Sequence, residues 1–126
     1  MTDRIIDFSS MFKISTCIAL VIVSSSIAAA HAILVTSTPK AKEIVTGPKV
    51  VVSLTFNSRL DQGRSTLVLE KSDHSSSKLL VTVDKSSPEK LTGMPSSLAP
   101  GAYKLHWQVL AVDGHVTRGE LPFQVK

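Results

Sequence analysis

The chain predicts a small all-β domain: an antiparallel Greek-key β-sandwich or barrel of about seven strands. Three observations predict it. Apolar and polar residues alternate with a period of two through most of residues 31–126, as strands with one buried face require. Turn-forming clusters recur between those runs,. No segment carries a convincing apolar stripe at helical spacing,. Many short strands with frequent turns, in a domain of about a hundred residues, belong to sandwiches and barrels.

Taken in order, Ile33 to Val35 makes a short first strand. After Pro48, residues Val50, Val52, Leu54 and Phe56 alternate with Val51, Ser53 and Thr55, the pattern of a half-buried strand. Leu67 and Leu69 flank Val68 in another, and Leu79, Val81 and Val83 form a third. The longest run places Tyr103, Leu105, Trp107, Val109 and Ala111 on one face, with Lys104, His106 and Gln108 on the other. Leu121, Phe123 and Val125 close the chain. Trp107 is the single tryptophan, and its place mid-strand among apolar neighbours makes it a core residue,. The breaks fall at Asp61-Gln62-Gly63, Ser86-Ser87-Pro88, Pro95, Pro100-Gly101 and Asp113-Gly114,. The Ser72–Ser77 run, which holds Asp73 and His74, reads as a mobile polar loop. There are no internal repeats, heptads, phosphate-binding glycine loops or zinc-spaced Cys/His pairs,.

Residues 1–30 read as a secretory signal, cleaved before His31. The apolar run Ile14 to Val23 leads through serines to Ala28-Ala29-Ala30, a small-residue cleavage site. The run is about half the roughly twenty residues that span a bilayer, which sets aside an uncleaved anchor. Asp3 and Asp7 suit a signal sequence poorly, whereas Met11-Phe12-Lys13 begins one well, so Met1 and Met11 are both candidate starts. The processed domain is 31–126, and it is expected to be exported. The only cysteine, Cys17, lies in the leader, so neither a disulfide nor a thiolate metal ligand is available to the domain. The leader's charges balance, leaving the chain's net charge of +4 with the domain. Those charges are scattered, with only Lys40 and Lys42 close together, and nucleic-acid binding is not expected. The processed form should be soluble and monomeric.

Cleavage would make His31 the first residue. The α-amine and the ring Nδ1 of an N-terminal histidine can close a six-membered chelate on one metal ion. Asp113-Gly114-His115 supplies a second ligand pair. Asp-Gly is a common tight-turn dipeptide, but residues i and i+2 of extended chain also face one side, so carboxylate and imidazole can converge. Amine, two imidazoles and a carboxylate form a nitrogen-rich set that suits Cu(II) or Ni(II). Tetrahedral zinc fits the same ligand types, while the fused chelate ring favours near-planar copper. One ion per chain is expected.

The domain resembles the CopC-type periplasmic copper-binding (copper resistance) family along nearly its whole length. The resemblance is carried by His31-Ala32-Xaa-Leu34, Ser37-Thr38-Pro39, the Val50–Phe56 strand and Leu98-Xaa-Pro100-Gly101-Xaa-Tyr103. Trp107-Gln108-Val109, Asp113-Gly114-His115, Gly119 and Phe123-Gln124-Val125 complete it. The resemblance implies a seven-stranded cupredoxin-like, immunoglobulin-like β-barrel, with Cu(II) held by His31, Asp113 and His115. It also suggests an inner-membrane copper transporter as partner. Some members carry a methionine-rich Cu(I) loop; the domain here has Met94 alone, which places it with the subgroup that has only the Cu(II) site. Some place a glutamate just after the strand that ends at Phe56, where this chain has Asn57 and Ser58. A fused membrane domain, found in other members, is not expected.

The function expected is therefore copper sequestration or transfer without catalysis, since protein donors fill the coordination sphere. Two other readings stand beside it. An N-terminal-histidine copper site could serve an oxidative, monooxygenase-like enzyme, although such enzymes use open, aromatic-studded surfaces. A metal-free sandwich serving as an interaction module would make His31 a coincidence and Asp113-Gly114 merely a turn. His74 and His106 read as surface histidines, with a metal ligand as the alternative for His74 and a weak second copper site as the alternative for His106. Arg118 and Glu120, near the metal end, are candidates to hydrogen-bond a ligand.

Overall fold

The computed structural model describes residues 32–126. The leader, its start at Met1 or Met11, the cleavage site and His31 lie outside the described residues. Among those described, nine strands follow in order: β1 (Leu34–Thr38), β2 (Ile44–Val45), β3 (Val52–Phe56), β4 (Thr66–Lys71), β5 (Ser76–Lys78), β6 (Val81–Thr82), β7 (Lys90–Gly93), β8 (Gly101–Leu110) and β9 (Val116–Val125). They form two sheets, ordered β1-β3-β7-β6 and β2-β9-β8-β4-β5. Among the described residues no helix is long and apolar enough to cross a membrane.

The alternating runs become the walls of one core. Val52, Leu54 and Phe56 of β3 face Leu67 and Leu69 of β4, Leu105, Trp107 and Val109 of β8, and Leu121, Phe123 and Val125 of β9, all buried in one cluster. Burying each large apolar side chain contributes roughly 1.5–3 kcal/mol, so the domain is held by its apolar core with no cysteine in it. Trp107 meets Phe56 edge-on, ring centroids 5.1 Å apart. Tyr103 stacks on Phe123, and its hydroxyl donates back to the Ala99 carbonyl at 2.6 Å.

Differences from the sequence expectation fall at short strands and edges. β2 pairs with β9 in parallel, so the second sheet is mixed. Parallel pairing needs only a long connection, and these segments are far apart in the chain. β2, β5 and β7 raise the strand number above seven; they run two to four residues, too short for alternation to register. Part of the expected Ser72–Ser77 loop is strand: β5 pairs Glu70 with Ser76 and Val68 with Lys78. The Leu79–Val83 strand shrinks to Val81–Thr82, with Leu79 buried and Val83 exposed, because β6 pairs only with β7, at the edge of its sheet. Ile33 and Val35 are also exposed, since β1 is the other edge.

One buried polar side chain ties the loops together. Gln62 donates to the carbonyls of Ser87 and Lys90, at 2.9 and 2.8 Å, and accepts from the Asp84 amide at 2.8 Å. Replacing it by leucine leaves those groups without the partner they have here, at a cost of about 2 kcal/mol. Urea denaturation should show that loss as a lower midpoint with an unchanged slope; an unchanged midpoint would mean the groups find new partners freely.

Candidate metal centre

The β8–β9 hairpin positions the Asp-Xaa-His motif. Its ladder runs from Gly101↔Val125 to Leu110↔Val116. Beyond it the Ala111 amide donates to the His115 carbonyl at 2.9 Å, and the Gly114 amide to the Ala111 carbonyl at 2.9 Å. The three-residue loop Val112-Asp113-Gly114 is thereby closed, and Gly114 adopts φ +92°, a region that favours glycine.

The turn, and not extended chain, brings the two candidate ligands together. Asp113 Oδ1 accepts the His115 amide at 3.0 Å, and Asp113 Oδ2 lies 3.1 Å from His115 Nδ1. Extended chain would have them share a face of a strand; here the Asx turn curls the carboxylate onto its neighbour two residues on. The spacing suits a shared ion: two donors each about 2.0–2.2 Å from one metal, at roughly right or tetrahedral angles, lie about 3 Å apart. Both side chains are half-exposed, at 39% and 48%, which leaves an ion a route in.

Two neighbouring segments hold the root of this turn. The Val112 amide donates to the Arg59 carbonyl at 3.1 Å, and the Asp61 amide to the Leu110 carbonyl at 2.8 Å. Leu60 bridges Ala111 between them. Ser65 Oγ donates to the Asp61 carbonyl at 2.8 Å and accepts the Leu110 amide at 3.1 Å. Two residues before Arg59, Asn57 grips the start of the described chain. Its amide donates to the Ile33 carbonyl at 3.0 Å, and its side-chain Oδ1 accepts the Ile33 amide at 2.7 Å. In the sequence Asn57 stands out only as the place of a missing glutamate; a strand-ending Asn with a side-chain acceptor is the signal that points to this bond.

Among the described residues no three His, Cys, Asp or Glu side chains form a metal-binding group. Asp113 and His115 make a pair, and the third proposed ligand, His31, lies outside the described residues. The other candidates fall elsewhere. Arg118 Nε donates to Gln108 at 2.7 Å. Glu120 faces His106 and Lys104. His106 is not the exposed histidine expected: it is half-buried, with Nε2 3.1 Å from Glu70 and Nδ1 3.6 Å from Glu120. The two carboxylates take opposite ring nitrogens, so they do not converge on one ion. The His106 hydrogen bond holds the Glu70 carboxyl below its ordinary range. His74 is a surface histidine, 3.7 Å from Glu70. Met94 is exposed.

Comparison with known proteins agrees with this architecture. The CopC domain model matches residues 34–126. Protein YobA of Escherichia coli K12 is 32% identical over 99 residues, which cover 77% of this chain and 80% of the relative; Protein YobA of Shigella flexneri matches equally. The crystal structure of CopC from Methylosinus trichosporium OB3b superposes with a TM-score of 0.70 at 28% identity, over 76% of this chain and 94% of that one. PcoC, a methionine-rich copper resistance protein from Escherichia coli, gives 0.65 at 26% identity, over 77% and 100%. With its two-sheet β architecture and the family pattern running from β1 to the last residue, the chain belongs to the CopC domain family.

Proposed function

We propose that this chain is an exported Cu(II)-binding protein that sequesters copper or hands it on, with a role in copper resistance or homeostasis. One ion per chain is held by the His31 amine and imidazole together with Asp113 and His115. One observation carries the reading. The short segment from Asn57 to Arg59 bonds Ile33 at one end and Val112 at the other. Residues two places after His31 and one place before Asp113 are thereby tied to the same three-residue stretch. The Asp113–His115 donor spacing supports it, as does the likeness to PcoC, a copper resistance protein.

The donor set is nitrogen and oxygen, which favours Cu(II) over Cu(I). Met94 supplies one exposed thioether, and a soft Cu(I) site needs several, so reduction releases the metal. The four aromatic side chains of residues 32–126, namely Phe56, Tyr103, Trp107 and Phe123, are all buried. That arrangement favours carriage over an aromatic-faced oxidative enzyme. The processed protein is periplasmic and monomeric, and an inner-membrane copper transporter is the natural recipient.

EPR of the copper-loaded, processed protein tests the reading. It should report a tetragonal Cu(II) centre with nitrogen donors from the amine and two imidazoles. These donors must lose protons to coordinate, so acidification across about pH 8 to 5 should expel the copper. Cu(II) affinity that stays flat across that interval would show the ligand set to be wrong.

A further inference from the structure

We infer that Asn57 is a positioning residue for the N-terminal metal ligand, a role that rests on the copper site proposed above. The β1–β3 ladder pairs Leu34 with Phe56. One step further, a regular antiparallel pair would exchange two backbone hydrogen bonds. Here Asn57 donates its amide to the Ile33 carbonyl at 3.0 Å, but the Ile33 amide goes to the Asn57 side-chain Oδ1 at 2.7 Å. The side chain thus stands in for the backbone carbonyl. The β3 backbone is released to turn through Ser58 toward Arg59, whose carbonyl holds Val112, while β1 stays clasped up to Ile33.

The clasp fixes the last bonded residue on the way to the first ligand. Consecutive Cα atoms are about 3.8 Å apart, so a ligand two residues ahead of Ile33 is on a short tether. Between them Ala32 is buried in the core. Its methyl anchors the chain, but a methyl contact does not set the direction of the peptide. The Ile33 amide bond does. Without it, the terminal residues must be ordered each time an ion binds, and ordering backbone opposes binding. Asn57 is itself exposed, so changing it leaves the core intact. Asparagine and aspartate both present an acceptor oxygen at this reach; leucine matches the shape and has none.

The experiment uses the chain expressed in full and recovered after processing, with its first residue verified by mass spectrometry. Asn57→Leu, Asn57→Asp, Asn57→Ala and His31→Ala are each loaded with Cu(II) alone. Affinity is read by chelator competition and the donor set by EPR. N57L and N57A should weaken Cu(II) binding about tenfold, the scale of losing a group that orients a ligand, and should show a second EPR species with fewer nitrogens. N57D should restore the single native spectrum, a readout that a distant added charge does not mimic. Native affinity and a native spectrum in both N57L and N57A overturn the role. So does weaker binding with an unaltered spectrum, which would mark a merely structural effect. If H31A weakens binding and N57L does not, only the positioning role falls. If H31A leaves affinity and spectrum native, the copper site reading falls and this role falls with it.

Discussion

Acetylating the α-amine of His31 is expected to weaken Cu(II) binding by more than about a hundredfold. The acetyl group turns the α-amine into an amide with no new amine beside it to anchor an ion, and such an amide keeps its proton and coordinates poorly at neutral pH. The chelate ring opens, and the His31 imidazole is left to bind alone. Losing even a group outside the ligand set costs a metal site about 10–100-fold in affinity, and here a donor is lost outright. Folding should be unaffected, because the core is assembled from residues 32–126. Thermal unfolding of the metal-free forms is therefore the control and should coincide. Chelator competition gives the affinity, and EPR should show one nitrogen fewer. An acetylated chain that holds Cu(II) at native strength would remove the N-terminus from the site.

Gly119→Ala is expected to destabilise the domain by about 3 kcal/mol, at the upper end of the range for overpacking. Gly119 lies directly opposite Trp107 in the β8–β9 ladder. A Cβ there would overlap Trp107 Cζ2 and stand 2.5 Å from Cε2 and 2.9 Å from Nε1. These atoms belong to a rigid ring, so no flexible end can move aside. Retreat is blocked as well, since the indole is buried and meets Phe56 edge-on at 5.1 Å. The indole Nε1 has no hydrogen-bond partner among the described residues, so packing, and not a polar contact, holds the ring in place. For a domain of this size such a loss lowers Tm by roughly 15 °C. Calorimetry of the metal-free protein measures it. Trp107→Leu should cost less in the G119A background than in the native one, because two residues in contact do not add. A G119A midpoint within about 3 °C of native would show that the ring can shift after all.

Much of the fold is legible in the amino-acid sequence. Alternation alone turns the row Tyr103, Leu105, Trp107, Val109 and Ala111 inward, and all five are buried. The same holds for Val52, Leu54 and Phe56, for Leu67 and Leu69, and for Leu121, Phe123 and Val125. Long strands announce themselves because each buried residue repeats the same two-residue signal. β7 does not, since Leu91 is its only large apolar residue. Val83 misleads for the opposite reason: it continues an apolar alternation beyond the point where an edge strand has a partner to pair with.

The candidate site is legible as chemistry and not as geometry. Residue type and spacing pick out Asp113 and His115, and they lie together. The turn that unites them is visible as Asp-Gly, yet their two-residue spacing alone does not reveal the Asx hydrogen bond that is the cause. His106 reads as a plain surface histidine, because nothing local reveals Glu70 on one side of it and Glu120 on the other.

By itself, then, the sequence determined which faces of the long strands are buried and which groups carry ligand chemistry, because periodicity and residue type are written within a few neighbouring residues. Only the tertiary structure decided that Asn57 holds Ile33, that Arg59 holds Val112 and that His106 sits between two glutamates. Those bonds join segments far apart in the chain, and their partners are set by strand register, which no single segment encodes.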